Sequence, residues 1–370
     1  MKLPIEVVNF AAGDTTLYEA FQDYWNQYRT SVGTKKFSYS ETDNQGKPIS
    51  FVEKELMLNS LLKREIGKRA GVDFTAQPLE QIVTHPMVAW AAFAVVSQLI
   101  DAVLPDTIMD SIGAYTDLRT AGFGDSFRFQ IKPRDLFAVS RAGRLGMREA
   151  EVHKQFDGEV TVVPEMHQIT VGVSLYRVLT GQESLANFTA KAIKSIETAM
   201  NKDAYDVFAA AMAALSSTPT ASALLIAGYS QASLTKLGQR VSAWSGGAAP
   251  MILGTKMALA NILPDDGNYR YTLDSPFVQI GYLRHAYGMD ILELPQVADW
   301  RTFGALALSD SYIWIVAPGT DKLVKLCLEG STMSNVSGTF SAATLMQNAT
   351  FWKSWKAAVA TSSIAAVITV

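Results

Sequence analysis

The sequence predicts an α+β fold, and three observations carry that prediction. A strand of period two feeds an unusually long helix between Gln168 and Leu215. A charged, glycine-bearing stretch just upstream separates two strand-like segments. The last third of the chain alternates short apolar strands with turns.

The strand–helix step is the clearest signal. Ile169, Val171, Val173 and Leu175 sit at alternate positions from Gln168 to Leu175, as in a strand with one buried face. Thr180 and Glu183 then stand at the spacing of a capping box. Beyond them Leu185, Phe188, Ala192, Ile196, Met200, Ala204, Phe208, Ala211 and Leu215 recur every three or four residues. With no Pro or Gly from Gln182 to Leu215, the helix extends roughly 50 Å. Lys191, Lys194, Glu197, Asn201, Lys202 and Asp206 fall on its wet side.

Upstream, Asp14–Tyr28 reads as a helix with Leu17, Tyr18, Phe21, Tyr24 and Trp25 on one face. Residues 1–50 have no evident core of their own. This arm therefore packs on its parent domain or on a neighbour. Phe51–Lys68 is an amphipathic helix stopped at Gly71, and Pro78–Leu104 is a second, more buried one ended by Pro105. Residues 105–120 read as short helix or turn.

Phe127–Lys132 alternates as a strand, and Asp135–Val139 continues it past Pro133. Ser140–Gly158 carries Arg141, Arg144, Arg148, Glu149, Glu151 and Lys154. Strands return at Val160–Val163. The pattern is a long two-stranded excursion with a charged tip. An isolated ribbon is marginal in water, so it draws stability from another surface or remains a solvated hairpin.

After a loop at 216–230 come a short helix (Ser233–Trp244), a strand (Pro250–Leu253) and a helix capped by Thr255. Met289–Leu294, Tyr312–Val316, Leu323–Leu328 and Ile364–Val370 read as strands. Thr350–Ala358 is helical or extended.

Composition restricts the function. The formal net charge is −3 over 370 residues, which disfavours strong non-specific nucleic-acid binding. The lone cysteine, Cys327, excludes a disulfide framework and a cysteine-rich zinc site within one chain. The most apolar window, Pro86–Leu104, is broken by Gln98 and Asp101 and is short for a bilayer, so no membrane segment is expected. His85, His153, His167 and His285 lie far apart. No nucleophile elbow, phosphate loop or dinucleotide fingerprint occurs. The expectation is no catalytic residue, no metal and no cofactor.

The order of parts resembles the Hong Kong 97 (HK-97) family of tailed-phage major capsid proteins. Gln168–Ala211 resembles that family's last extended-loop strand running into its spine helix. Ala249–Lys256 followed by Leu259 resembles the axial domain's strand-then-helix step. Tyr287–Pro295 resembles its glycine-then-strand segment, and Ala305–Ile315 the small-residue and aspartate turn before a core strand.

The resemblance implies a division of the chain. Residues 1–50 form the N-terminal arm, 51–122 a helical segment packing on the peripheral domain, and 123–175 the extended two-stranded loop. Residues 176–217 form the long spine helix, 218–325 the axial domain and 326–370 the C-terminal return strands of the peripheral domain. It also implies assembly interfaces at Arg141, Arg144, Arg148, Glu149, Glu151 and Lys154 in the loop tip, and at Tyr18, Phe21, Tyr24 and Trp25 in the arm.

The implied function is a major capsid protein in the virion, assembled in the bacterial host cytoplasm. Its hexamers and pentamers form an icosahedral shell around double-stranded DNA held by non-specific contact. The implied partners are copies of itself, a separate scaffolding protein, a portal and decoration proteins. A shell of the encapsulin kind, loaded with cargo enzymes, is the nearest alternative. A soluble α+β enzyme with a scattered active site is the alternative from another class.

Overall fold

The computed structural model describes residues 16–32, 50–74, 76–113, 116–131, 158–215, 224–262, 281–294, 296, 306, 308–317, 322–336, 347–360 and 364–370. Four helices open it: α1 (Thr16–Val32), α2 (Phe51–Ala70), α3 (Leu79–Thr84) and α4 (Pro86–Ile112). Ser50 caps α2 with the full capping box that Glu53 permits, and Gly71 closes it in the left-handed conformation.

Most of α4 is buried, and Met87, Trp90 and Met109 mark the row of it that reaches solvent. Its stretch Met87–Asp110 is long and apolar enough to cross a membrane by length and composition, and most of it is buried inside the protein. The two polar breaks in that run have partners. Gln98 accepts from Tyr18 at 3.3 Å and from Arg69 at 2.8 Å. Asp101 reaches the sheet. The helix also runs through Pro105, where the sequence suggested a stop. Proline removes one ladder bond, and the buried side chains of Leu104 and Ile108 on either side of it hold the segment in line.

The first sheet holds β1 (Thr116–Ala121), β4 (Glu165–Val173), β10 (Val324–Val336) and β11 (Gln347–Val359) in the order β1-β10-β11-β4. β1 is parallel to β10, and the other pairs are antiparallel. One face packs on α4. There β10 carries a register shift between Glu329 and Met333. Gly330 supplies the positive φ of 56° that the irregularity uses. The shift frees the Thr332 N–H, which donates to Asp101 Oδ2 at 2.6 Å, and the Thr332 hydroxyl donates to Oδ1 at 2.6 Å. Lys353 Nζ donates to the same Oδ1 at 2.7 Å and to the Gly330 carbonyl at 2.7 Å.

A short helix, α5 (Leu175–Leu179), follows β4, and the long helix α6 spans Leu185–Leu215. The Thr180–Glu183 box is not its start. The Thr180 hydroxyl donates back to Tyr176 O, and Gly181 turns the chain at φ 79°. The cap of α6 is Ser184, whose Oγ accepts from Asn187 N–H at 3.2 Å. Asn59 of α2 accepts from Ala186 N–H at 3.1 Å. Glu197, expected in solvent, is buried beside Lys194 at 2.9 Å.

The second sheet follows the order β5-β12-β9-β6-β8-β7, with β5 (Leu225–Ala227), β6 (Met251–Gly254), β7 (His285–Ala286), β8 (Met289–Glu293), β9 (Tyr312–Val316) and β12 (Ala365–Thr369). Ile313 and Ile315 of β9 pack on α7 (Gln231–Trp244) and α8 (Lys256–Leu259). Trp314 and Val316 face the main core. Tyr205 and Phe208 of α6 meet Trp314 edge-on at 4.9 and 5.0 Å. A strand buried on both faces thus joins the two cores. Thr255 caps α8 and donates to Asp310 at 2.5 Å, which gives the aspartate turn its role.

One expectation changes and two gain detail. Residues 116–121 form β1, not helix or turn. The 350–358 stretch is extended within β11. The closing strand joins the second sheet between β5 and β9.

α1 belongs to the core. Phe21→Ala should destabilise the dissociated protomer by about 3–5 kcal/mol in denaturant titrations. A loss within about 0.5 kcal/mol would mean that α1 is not held by its own chain.

Candidate functional site

The predicted interface residues divide into two groups. Tyr18, Phe21, Tyr24 and Trp25 are 6%, 0%, 1% and 1% exposed within the protomer. Trp25 Nε1 donates to Thr107 at 2.8 Å, Arg29 pairs with Asp110 at 3.0 Å, and Tyr24 stacks on Phe51 at 4.9 Å. Of the two surfaces the sequence offers for this aromatic face, parent domain or neighbour, the structure shows the first: α2 and α4 of the same chain cover it. Burial raises the Tyr18 hydroxyl above its ordinary pKa, against the lowering effect of Arg69. The tip residues Arg141, Arg144, Arg148, Glu149, Glu151 and Lys154 lie outside the described residues, as does the continuation at 135–139.

The root of the excursion is described. β2 (Phe127–Ile131) pairs antiparallel with β3 (Gly158–Val162), with Phe127 opposite Val162 and Ile131 opposite Gly158. The alternation of Phe127 and Phe129 gives the ribbon one apolar face. That face lies on the outer side of the first sheet, where Phe127, Phe129 and Val162 cover Cys327. The Arg119 guanidinium sits 4.5 Å from the Phe129 ring centre, and Lys325 Nζ lies 5.7 Å from it. Lys325 is buried and pairs with Asp117 at 3.5 Å. Sequence reading missed this seat, because its cations come from β1 and β10, far apart in the chain.

Beyond the ribbon the outer side of the sheet is open. Met166 and Met333 are exposed, Trp352 Nε1 donates to Gln168 at 3.2 Å, and the Thr170 and Thr350 hydroxyls meet at 3.0 Å. β4 is the terminal strand of this sheet. At its start Lys356 reaches Glu165 at 2.5 Å and holds that carboxyl below its ordinary pKa. His167 stacks on Trp355 at 3.7 Å, and Trp355 Nε1 donates to Asp203 of α6 at 2.8 Å. His285 faces Asp290 at 2.7 Å on the opposite sheet. Among the described residues, no group of three His, Cys, Asp or Glu side chains is placed to hold a metal ion. Among the described residues the arrangement offers an exposed sheet surface and a two-stranded ribbon seated beside it.

No family model matches the chain, and no curated protein matches it in sequence. Solved structures to which it is similar include the capsid of a native GTA particle, at 10% identity and TM-score 0.48, covering 71% of this chain and 90% of that one. The mature capsid of bacteriophage PhiM1 matches at 7% identity and TM-score 0.43, covering 69% and 85%. The virus-like particle from Pyrococcus furiosus matches at 12% identity and TM-score 0.41, covering 72% and 95%.

Burial pushes the Cys327 thiol from its ordinary value of 9.0 up to about 12. Below about pH 9 the folded and unfolded chains both keep that proton. Between about 9 and 12 only the folded chain does, so this group's contribution to stability falls as pH rises through that window. At pH 8 the native thiol should react slowly with a disulfide reagent. Phe129→Ala should speed that reaction at least about tenfold by lifting the ribbon from its seat. An unchanged rate would show that the ribbon does not cover the thiol.

Proposed function

We propose that the chain is a shell-forming major capsid protein. Many copies close into hexamers and pentamers around double-stranded DNA, as in the head of a tailed phage. The observation that carries this reading is the ribbon. Its two strands are seated on the outer side of the first sheet, and the chain between them, residues 132–157, holds both signs of charge. Such a segment suits salt bridges to a neighbouring copy. Each exposed pair is worth only about 0–1 kcal/mol, so repetition around a closed ring sets register more than strength. The second support is the frame. One 31-residue helix packs on both sheets and links the two cores across Trp314. A frame of this kind carries load between neighbours on either side.

In this reading the arm aromatics brace the protomer, and the loop tip supplies the contacts between copies. DNA is held by weak, sequence-independent contact, in keeping with a formal net charge of −3. A separate scaffolding protein, a portal and decoration proteins complete the particle. The finished site is the virion, and assembly takes place in the host cytoplasm.

Electron microscopy of the purified full chain should reveal closed particles. Deleting 142–156 should leave a soluble protomer that no longer closes. Discrete monomers or dimers from the intact chain would contradict the shell reading. Normal particles from the deletion would remove the loop from assembly. The contents of particles formed in cells separate a DNA-filled head from a compartment loaded with enzymes.

A further inference from the structure

We propose that β4 pairs edge to edge with β4 of a second copy of this chain, antiparallel and centred on Ile169. β4 ends the first sheet. Among the described residues it pairs only with β11, along nine residues without a register shift. The N–H and C=O groups of its alternate residues therefore point away from the sheet. Its inward side chains are also less covered than those of the strand beside it. His167, Ile169 and Val171 are half-buried, while Lys353, Phe351 and Ala349 opposite them are buried. The core is open along this edge.

The other ends of the two larger sheets are guarded. β1 carries Asp117 and Arg119 within six residues, and β5 and β7 are three and two residues long. Short or charged edges keep further chains from adding to a sheet. β4 has neither guard over Gln168–Val173, which holds no charge and no proline. An edge left long and neutral beside an open core is a pairing surface.

The residues of β4 select its own copy as the occupant. Centred on Ile169, antiparallel pairing sets Gln168 opposite Thr170, His167 opposite Val171 and Met166 opposite Gly172. On the outer side Gln168 Oε1 accepts from Trp352, so its amide nitrogen donates toward the Thr170 hydroxyl of the mate. Met166, 56% exposed, lies across from a residue with no side chain. On the inner side Ile169 meets itself, and Val171 meets His167, whose ring is stacked on Trp355. Glu165 falls at the end of the pair, where Lys356 already neutralises it at 2.5 Å. The two Glu165 carboxylates then stand roughly 27 Å apart. A parallel, in-register stack would set Glu165 on Glu165 and His167 on His167. A strand of another protein gives no reason for β4 to match itself about one residue. The contact is additional to that of the loop tip. It stands whether or not the chain closes into a shell, since cross-linking reads it in dimers and shells alike.

The test is disulfide trapping in the full chain, whose own Cys327 is buried. Directly opposed residues lie about 4.5–5.5 Å apart between Cα atoms, within the span that a disulfide bridges. Ile169→Cys, which faces its own twin, should form a covalent dimer on mild oxidation. Met166→Cys and Gly172→Cys should each stay uncross-linked alone, because each lies roughly 20 Å from its twin, and should cross-link when the two variants are mixed. Adding Thr170→Lys to Ile169→Cys should lower the yield at least about tenfold by placing a charge on the edge. Thr170 is exposed, so the thermal melt should match the parent. Should the melt fall, Gln168→Lys, also at an exposed position, should lower the yield in the same way. No dimer from Ile169→Cys, no cross-link in the mixture, or indifference to the added lysine would each overturn the proposal. Dimers from Met166→Cys or Gly172→Cys alone would overturn it in favour of a parallel stack.

Discussion

The fold depends on one buried carboxylate. Asp101 sits in the middle of a mostly apolar helix, and both it and Lys353 are largely withdrawn from water, at 12% and 7% side-chain exposure. Leaving either ion alone there would cost several kcal/mol. The first sheet removes that cost by deforming. The irregularity in β10 turns the Thr332 N–H out of the ladder and toward Asp101, and the Gly330 carbonyl takes a second bond from Lys353. Helix position and sheet register are thereby coupled: sliding α4 by one turn would strand the carboxylate among apolar neighbours.

Around this clamp the remaining parts find their places. α4 contacts α1, α2, α6, β1, β10 and β11, so holding it in register orients the helical layer against the sheet. α6 carries the arrangement into the second sheet through Trp314. The ribbon is then seated on the side of the first sheet away from the clamp, over a buried thiol and beneath a stacked guanidinium. The clamp and the double-sided β9 give that seat a fixed base.

Much of this was legible in the sequence, and the failures have a common cause. Period told which faces are buried: the alternation at 169–173, the three-and-four spacing from Leu185 to Phe208 and the aromatic face of α1 lie where the pattern put them, while Leu175 opens α5 instead of ending the strand. Period did not tell what covers a face. The α1 aromatics fit a parent domain or a neighbour equally by period, and they lie in the chain's own core. The closing strand reads as a strand, but its sheet does not show in the sequence, because its partners β5 and β9 are distant in the chain. β1 was hidden because its residues are half polar and its parallel partner is far away in sequence. Glu197 read as wet because charge normally marks solvent. The start of α6 was misplaced because Thr180 and Glu183 imitate a cap that Ser184 makes. Of the candidate site, the two strands of the excursion were legible and its seat was not. Asp101 was visible as an anomaly, a charge in an apolar run, and such anomalies mark where a helix must find a polar partner.

The central claim is that Asp101 and Lys353 act as a coupled pair locking helix to sheet. A double-mutant cycle of Asp101→Asn, Lys353→Met and the two combined, read by denaturant unfolding, measures that coupling directly. The account predicts an interaction energy of about 2 kcal/mol or more, with the double variant less damaged than the sum of the single ones. Effects that add to within about 0.5 kcal/mol would contradict it.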